Sequence, residues 1–73
     1  MKSDIKLIFK DNNNLKFFSI KFFNYLSTYK TLLKKCDYHN IKNNMYIDTQ
    51  GYANVKAFIN NNSKKYDYEV IIR

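Results

Sequence analysis

Cys36 and His39 are the only thiol and the only imidazole in the chain, and they stand three residues apart as Cys-x-x-His. That spacing offers two ligands where a structural zinc site takes four, or a nucleophile beside a base. Neither chemistry is completed, because the sequence holds no further Cys or His and no orienting third group at a recognisable spacing. The one glycine, Gly51, cannot build a dinucleotide fingerprint or a phosphate-cradling loop, both of which need several. The acidic residues are scattered, so no paired carboxylates stand out for acid and base work. The expectation is a protein that is not an enzyme, with no metal, no cofactor and no small-molecule substrate.

What remains is cationic chemistry. Thirteen Lys and Arg face six Asp and Glu, a formal net charge of +7, and Lys supplies all but one of the cations. Such a balance favours a polyanionic partner. Lys acts as a mobile point charge suited to phosphates, whereas Arg forks onto base edges, so a nucleic acid would be held by backbone and shape more than by sequence. The candidate contacts are Lys6, Lys10, Lys16, Lys34, Lys35, Lys64 and Lys65. For the Lys34-Lys35 pair there is also a structural reason, since cations at a helix C-terminus are worth roughly 0.3 to 1 kcal/mol. Tyr38, Tyr46, Tyr52 and Tyr66 fall near element ends, where they either stack on unpaired bases or close the rim of the core. The partner expected from this pattern is structured RNA, such as the rRNA of a ribosome or another ribonucleoprotein, together with neighbouring proteins. Asn, Lys, Ile, Tyr and Phe are also what AT-rich codon usage enriches, so the charge has to be shown to be placed and not only counted.

These residues need a scaffold. Hydrophobic residues form 45% of the 73 and aromatics 18%, too much apolar material for a disordered chain and enough for one small core. A single domain over residues 1–73 is expected. The lone Cys cannot form an internal disulfide, and Met1 to Asp4 leads into an alternating pattern without an apolar leader, so a reducing, cytoplasmic setting follows. Apolar runs of two or three residues fall far short of the roughly 20 that a membrane-spanning helix needs.

Ile5, Leu7 and Phe9 alternate with Lys6, Ile8 and Lys10, the two-residue period of a strand. Leu15, Phe17 and Ser19 against Lys16, Phe18 and Ile20 repeat it, which predicts a β-hairpin closed by Asp11 to Asn13, with Phe9 opposite Leu15 and Leu7 opposite Phe17. Ser19 then caps a helix whose stripe is Phe22, Leu26, Tyr29, Leu33 and Cys36, with Ser27-Thr28 as a point of division. Asp37 to Asn44 reads as a loop, Met45 to Ile47 as a short strand, and Asp48 to Gly51 as a turn with Gly51 at positive φ. Tyr52, Val55, Phe58 and Ile59 predict a short helix. Tyr66, Tyr68, Val70 and Ile72 predict a closing strand. The fold class is α+β in the order ββαβαβ, with helices packed on a small, mostly antiparallel sheet.

Ile5-Lys6-Leu7, Asp11, Leu15 and Phe17, followed by Tyr29-Lys30-Thr31-Leu32-Leu33, resembles the opening hairpin and first helix of the Skp1, elongin C and BTB/POZ family. Met45-Tyr46-Ile47 and the segment Asn54 to Asn60 can be laid on that family's next strand and helix. The resemblance implies a protein-interaction adaptor, and it carries no functional residue across. A protein-binding module, either of this adaptor kind or a small viral inhibitor of a host machine, is therefore the alternative to RNA binding.

Overall fold

The computed structural model describes residues 2–73. The elements are β1 (Ile5–Phe9), α1 (Asn12–Thr28), α2 (Lys30–Lys35), β2 (Asp37–Ile41), β3 (Asn44–Asp48), α3 (Ala53–Asn61), α4 (Ser63–Tyr66) and β4 (Tyr68–Ile72). The four strands form one sheet in the order β2-β3-β1-β4, with every neighbouring pair antiparallel. Each of the two long crossings, β1 to β2 and β3 to β4, carries a helix pair, and β1 and β2 run parallel with β3 between them. This is the split β-α-β arrangement. The α+β class, with helices on a small antiparallel sheet, is as the sequence indicates; the order of elements is different.

All helices pack on one face of the sheet. Ile5, Leu7 and Phe9 from β1, Met45 and Ile47 from β3, and Tyr68 from β4 point into the core, where they meet Leu15, Phe18, Phe22 and Leu26 of α1, Leu32 of α2, and Val55 and Ile59 of α3. β1 lies between β3 and β4, so both of its edges are paired and its inward face lies at the middle of the sheet. Phe18 is the centre of an aromatic cluster, with ring centroids 5.8 Å from Phe9, 5.5 Å from Phe22, 6.1 Å from Phe58, 5.5 Å from Tyr66 and 4.9 Å from Tyr68.

The expected hairpin is not formed. Asp11 ends β1 and caps α1: its backbone is extended at φ −144°, and its carboxylate accepts the Asn14 N–H at 2.9 Å. Residues 15 to 20 therefore continue a helix, and Leu15, Phe18, Phe22 and Leu26 form its buried stripe at spacings of three, four and four. Ser19 lies inside the helix, where its hydroxyl donates to the Leu15 carbonyl. Of the residues that carry the likeness to the Skp1 family, Leu15 and Phe17 lie on α1. A helix wins this stretch because it buries Phe18 and leaves Phe17 outside, where a strand in the expected register would do the reverse.

Three further positions differ. The backbone turns extended at Tyr29 (φ −115°, ψ 94°), between α1 and α2, so the division falls just after Ser27-Thr28. That break resets the helical phase, which leaves Tyr29 and Leu33 exposed and puts Leu32 into the core. Asp37 to Ile41 is a strand and not a loop, joined to β3 across Lys42 and Asn43, with Lys42 at φ 56°. Its residues are polar because β2 is an edge strand, held by backbone bonds to β3 and meeting α1 through half-buried Tyr38 and through Asn40, whose amide donates to the Ser19 hydroxyl at 3.2 Å. In β4 the inward face is Tyr68 and half-buried Val70, while Ile72 is exposed and Tyr66 belongs to α4.

Gly51 has φ 75°, as its turn requires, and Gln50 before it has φ 55°. Phe17 and Phe18 separate helix from hairpin in solution. Phe17→Ala, at a residue 61% exposed, should change the urea unfolding free energy by no more than about 0.5 kcal/mol. Phe18→Ala, at a residue with no exposure, should cost about 3 to 5 kcal/mol. The reverse ranking would restore the hairpin.

Candidate nucleic-acid interface

The two layers of the fold sort the charges. Helices α1 to α4 contain Lys16, Lys21, Lys30, Lys34, Lys35, Lys56, Lys64 and Lys65 and no Asp or Glu at all. The other five cations share the strands and connections with all six acids. The positive charge of the protein is therefore a property of its helical layer. Without carboxylates on the helices, no pairing at the i to i+4 spacing is open to these lysines. Among the described residues the one salt bridge is Lys10 to Asp67, at 3.9 Å, and neither partner is helical.

Five of the seven candidate lysines lie in this layer: Lys16 on α1, Lys34 and Lys35 in the last turn of α2, and Lys64 and Lys65 on α4. Lys21, Lys30 and Lys56 join them there. Lys21 and Lys30 fall on the helix that the sequence predicts after Ser19, and Lys56 on the short helix around Val55, each in an acid-free helical window. Lys6 and Lys10 are elsewhere. Lys10 follows β1 and pairs with Asp67, while Lys6 stands on the sheet face that no helix covers, its ammonium 5.6 Å from the centroid of the Tyr46 ring.

That open face has a different character. Strand register puts His39, Tyr46, Lys6 and Ile71 in one row across β2, β3, β1 and β4, and Ile41, Asn44, Ile8 and Glu69 in the next. His39 stacks on Tyr46 at 5.2 Å and 14°, and the Arg73 guanidinium lies 5.3 Å from the same ring. Asp37, Asp48 and Glu69 share this face by strand alternation, so its charge is mixed. Of the four tyrosines picked out for base stacking, only Tyr46 stands here. Tyr38 packs edge-on against Phe22 at 5.2 Å, Tyr66 packs on Phe18, and Tyr52 rests against the core.

Cys36 and His39 are separated by the same alternation. His39 is on the open face, whereas Cys36 is buried, its thiol donating to the Thr49 carbonyl at 3.5 Å. Burial, reinforced by Asp48, Asp4 and Asp37, pushes the thiol above its ordinary pKa, which disfavours the nucleophilic thiolate. Among the described residues no three His, Cys, Asp or Glu side chains come together as a metal site, and no helix is long and apolar enough to cross a membrane.

The helical layer also exposes apolar groups. Phe17, Ile20 and Phe23 of α1 are 61%, 62% and 50% exposed. A groove of about 390 Å³ runs between α1 and α4, with Phe17, Ile20 and Tyr66 as its apolar wall and Lys21 and Lys65 beside them. Comparisons with protein-family models, with curated proteins and with solved structures return no match for this chain.

Both layers are tied together at Asp4. Its carboxylate accepts the Thr49 backbone N–H at 2.8 Å and the Thr49 hydroxyl at 2.5 Å, joining the start of β1 to the turn before α3. Burial alone raises this carboxyl, but the hydrogen bonds from Thr49 and its own backbone, with the Lys56 charge, outweigh it and leave the pKa below the ordinary value. A folded-state pKa below the unfolded one contributes stability that is present at neutral pH and is lost as pH falls through the folded value. Thermal unfolding should therefore show wild type losing stability below about pH 4 more steeply than Asp4→Asn. Parallel acid profiles would remove Asp4 as the titrating clamp.

Proposed function

We propose that this chain is a small RNA-binding accessory protein of a ribonucleoprotein particle, the ribosome among them, that docks on folded RNA through the lysines of its helical layer. The observation that carries the reading is the segregation of charge. Codon bias raises the number of Lys in a chain, but it gives no reason for all six acids to be kept off four helices. Helices without acids present several ammonium groups to one polyanion, and each phosphate contact releases condensed counterions. The contacts assigned are Lys16, Lys34, Lys35, Lys64 and Lys65, extended to Lys21, Lys30 and Lys56. Lys6 and Lys10 drop from the contact set, Lys10 because it pairs with Asp67 and Lys6 because it stands on the opposite, open sheet face against the Tyr46 ring.

A second reading is supported by Ile20, Phe23 and Leu33, large apolar side chains exposed on the same layer. It makes the protein an interaction module for an acidic protein surface, whether as an adaptor or as an inhibitor.

Salt dependence distinguishes the contact set. With a structured RNA, log affinity against log salt should fall steeply for wild type. Replacing Lys34, Lys35, Lys64 and Lys65 by Ala should flatten that slope by about 3 and weaken binding. Replacing Lys6 and Lys10 should leave it nearly unchanged. Equal effects of the two variants would mean that the layers do not differ in their contact with RNA.

A further inference from the structure

Phe17, Ile20 and Asn24 recur at three and four residues along α1 and stand on its outer face with Lys21 beside them. α4 supplies the opposite wall of the groove through Lys65 and Tyr66. A small domain gains nothing by leaving Phe17 and Ile20 more than half exposed unless something covers them. Around that apolar floor the polar groups are of two kinds. Lys21 and Lys65 have no carboxylate within salt-bridge distance, and the side-chain amides of Asn14 and Asn24 make no hydrogen bond within the described residues.

We propose that the groove between α1 and α4 takes an unpaired nucleotide, with its base on Phe17 and Ile20 and its phosphates on Lys21 and on Lys65, whose ammonium lies 5.6 Å from the centroid of the Tyr66 ring. This deepens the RNA reading above and rests on it. The chemistry matches in three parts: an exposed ring and an aliphatic side chain for the face of a base, ammonium groups for its phosphates, and amides carrying both donor and acceptor for its edge. The groove volume of about 390 Å³ lies within the range of small-ligand sites. A base inside a duplex is paired and stacked and cannot enter, so the bound form is a single strand, a loop or a bulge. Two other occupants fit less well. A second copy of the chain docked by the same face would bring eight lysines of its own against this one, and the carboxylates of an acidic segment answer Lys21 and Lys65 but not the apolar floor of Phe17 and Ile20.

The test is the binding of a short labelled oligoadenylate, compared with the same strand annealed to its complement, by fluorescence anisotropy at one salt concentration. The expected result is that the single strand binds about tenfold tighter, within the range of one stacked base. Phe17→Ala with Ile20→Ala should remove that preference while leaving duplex affinity, the salt slope and the thermal midpoint unchanged, since both residues are exposed. Lys21→Ala with Lys65→Ala should weaken both forms and flatten the slope. Equal binding of the two forms, or an unchanged preference in the Phe17 and Ile20 variant, overturns the groove assignment alone. Absence of binding to either form overturns the RNA reading and the groove with it. Capture of an acidic amphipathic peptide in place of both nucleic acids overturns them in favour of a protein partner.

Discussion

The ring of Phe18 is the contact on which the two layers depend. It is fully buried and meets rings from β1, α1, α3, α4 and β4, so the first strand, the last strand and both helix pairs share one aromatic cluster. A chain of 73 residues buries a small fraction of its surface compared with a larger domain, and a few large rings supply apolar area that many aliphatic side chains would otherwise provide. Tyr68 reaches this cluster and also donates its hydroxyl to the Ile59 carbonyl, which satisfies the polar atom, while burial, reinforced by Tyr66, pushes its pKa up. Ile5, Leu7 and Phe9 on the central strand complete the floor on which the helices rest.

A two-layer fold has two outer surfaces, and here they differ in kind. The uncovered sheet face mixes Lys6, Arg73 and His39 with Asp37, Asp48 and Glu69, and its cations lie against the Tyr46 ring. The helical face carries eight lysines and no acid of its own, with Lys56 alone acting on a carboxylate, that of Asp4, and Phe17, Ile20 and Phe23 stand among them. Because helices gain stability from opposite charges three or four residues apart, helices without acids forgo that contribution, and repulsion among the lysines falls when a polyanion covers them. The proposed RNA contact follows from that imbalance.

Much of the scaffold was legible in the sequence. Strand β1 is an alternating run of five residues, β3 and α3 carry their own apolar periodicity, and the tight turn at Gly51 was marked by the one residue suited to positive φ. The α1 start was not, for a physical reason. Leu15 to Ile20 satisfies both periods, since Leu15 and Phe18 make a helical stripe while Leu15 and Phe17 make a strand face, and exposed Phe17 and Ile20 add apolar residues that no core explains. The Asp11 cap settled the matter, yet its Asn-rich surroundings also read as a hairpin loop. Strand β2 left no trace of its own because an edge strand built from Asp37, His39 and Asn40 is specified by the hydrogen bonds of its neighbour. The predicted helix after Ser19 already carries Lys21, Lys30, Lys34 and Lys35, but Lys16 joins that face only once residues 12 to 18 are known to be helical, and Lys64 and Lys65 join it only once residues 63 to 66 are.

The central claim is that the helical layer, and not the open sheet, is the polyanion-binding surface. Amide chemical-shift mapping of the labelled protein during titration with a structured RNA tests it most directly. The account predicts that shifts concentrate along α1, α2 and α4, around Lys16, Lys34, Lys35, Lys64 and Lys65, while His39, Tyr46 and Lys6 stay in place. Shifts confined to the His39, Tyr46 and Lys6 row, with the helices silent, would contradict it.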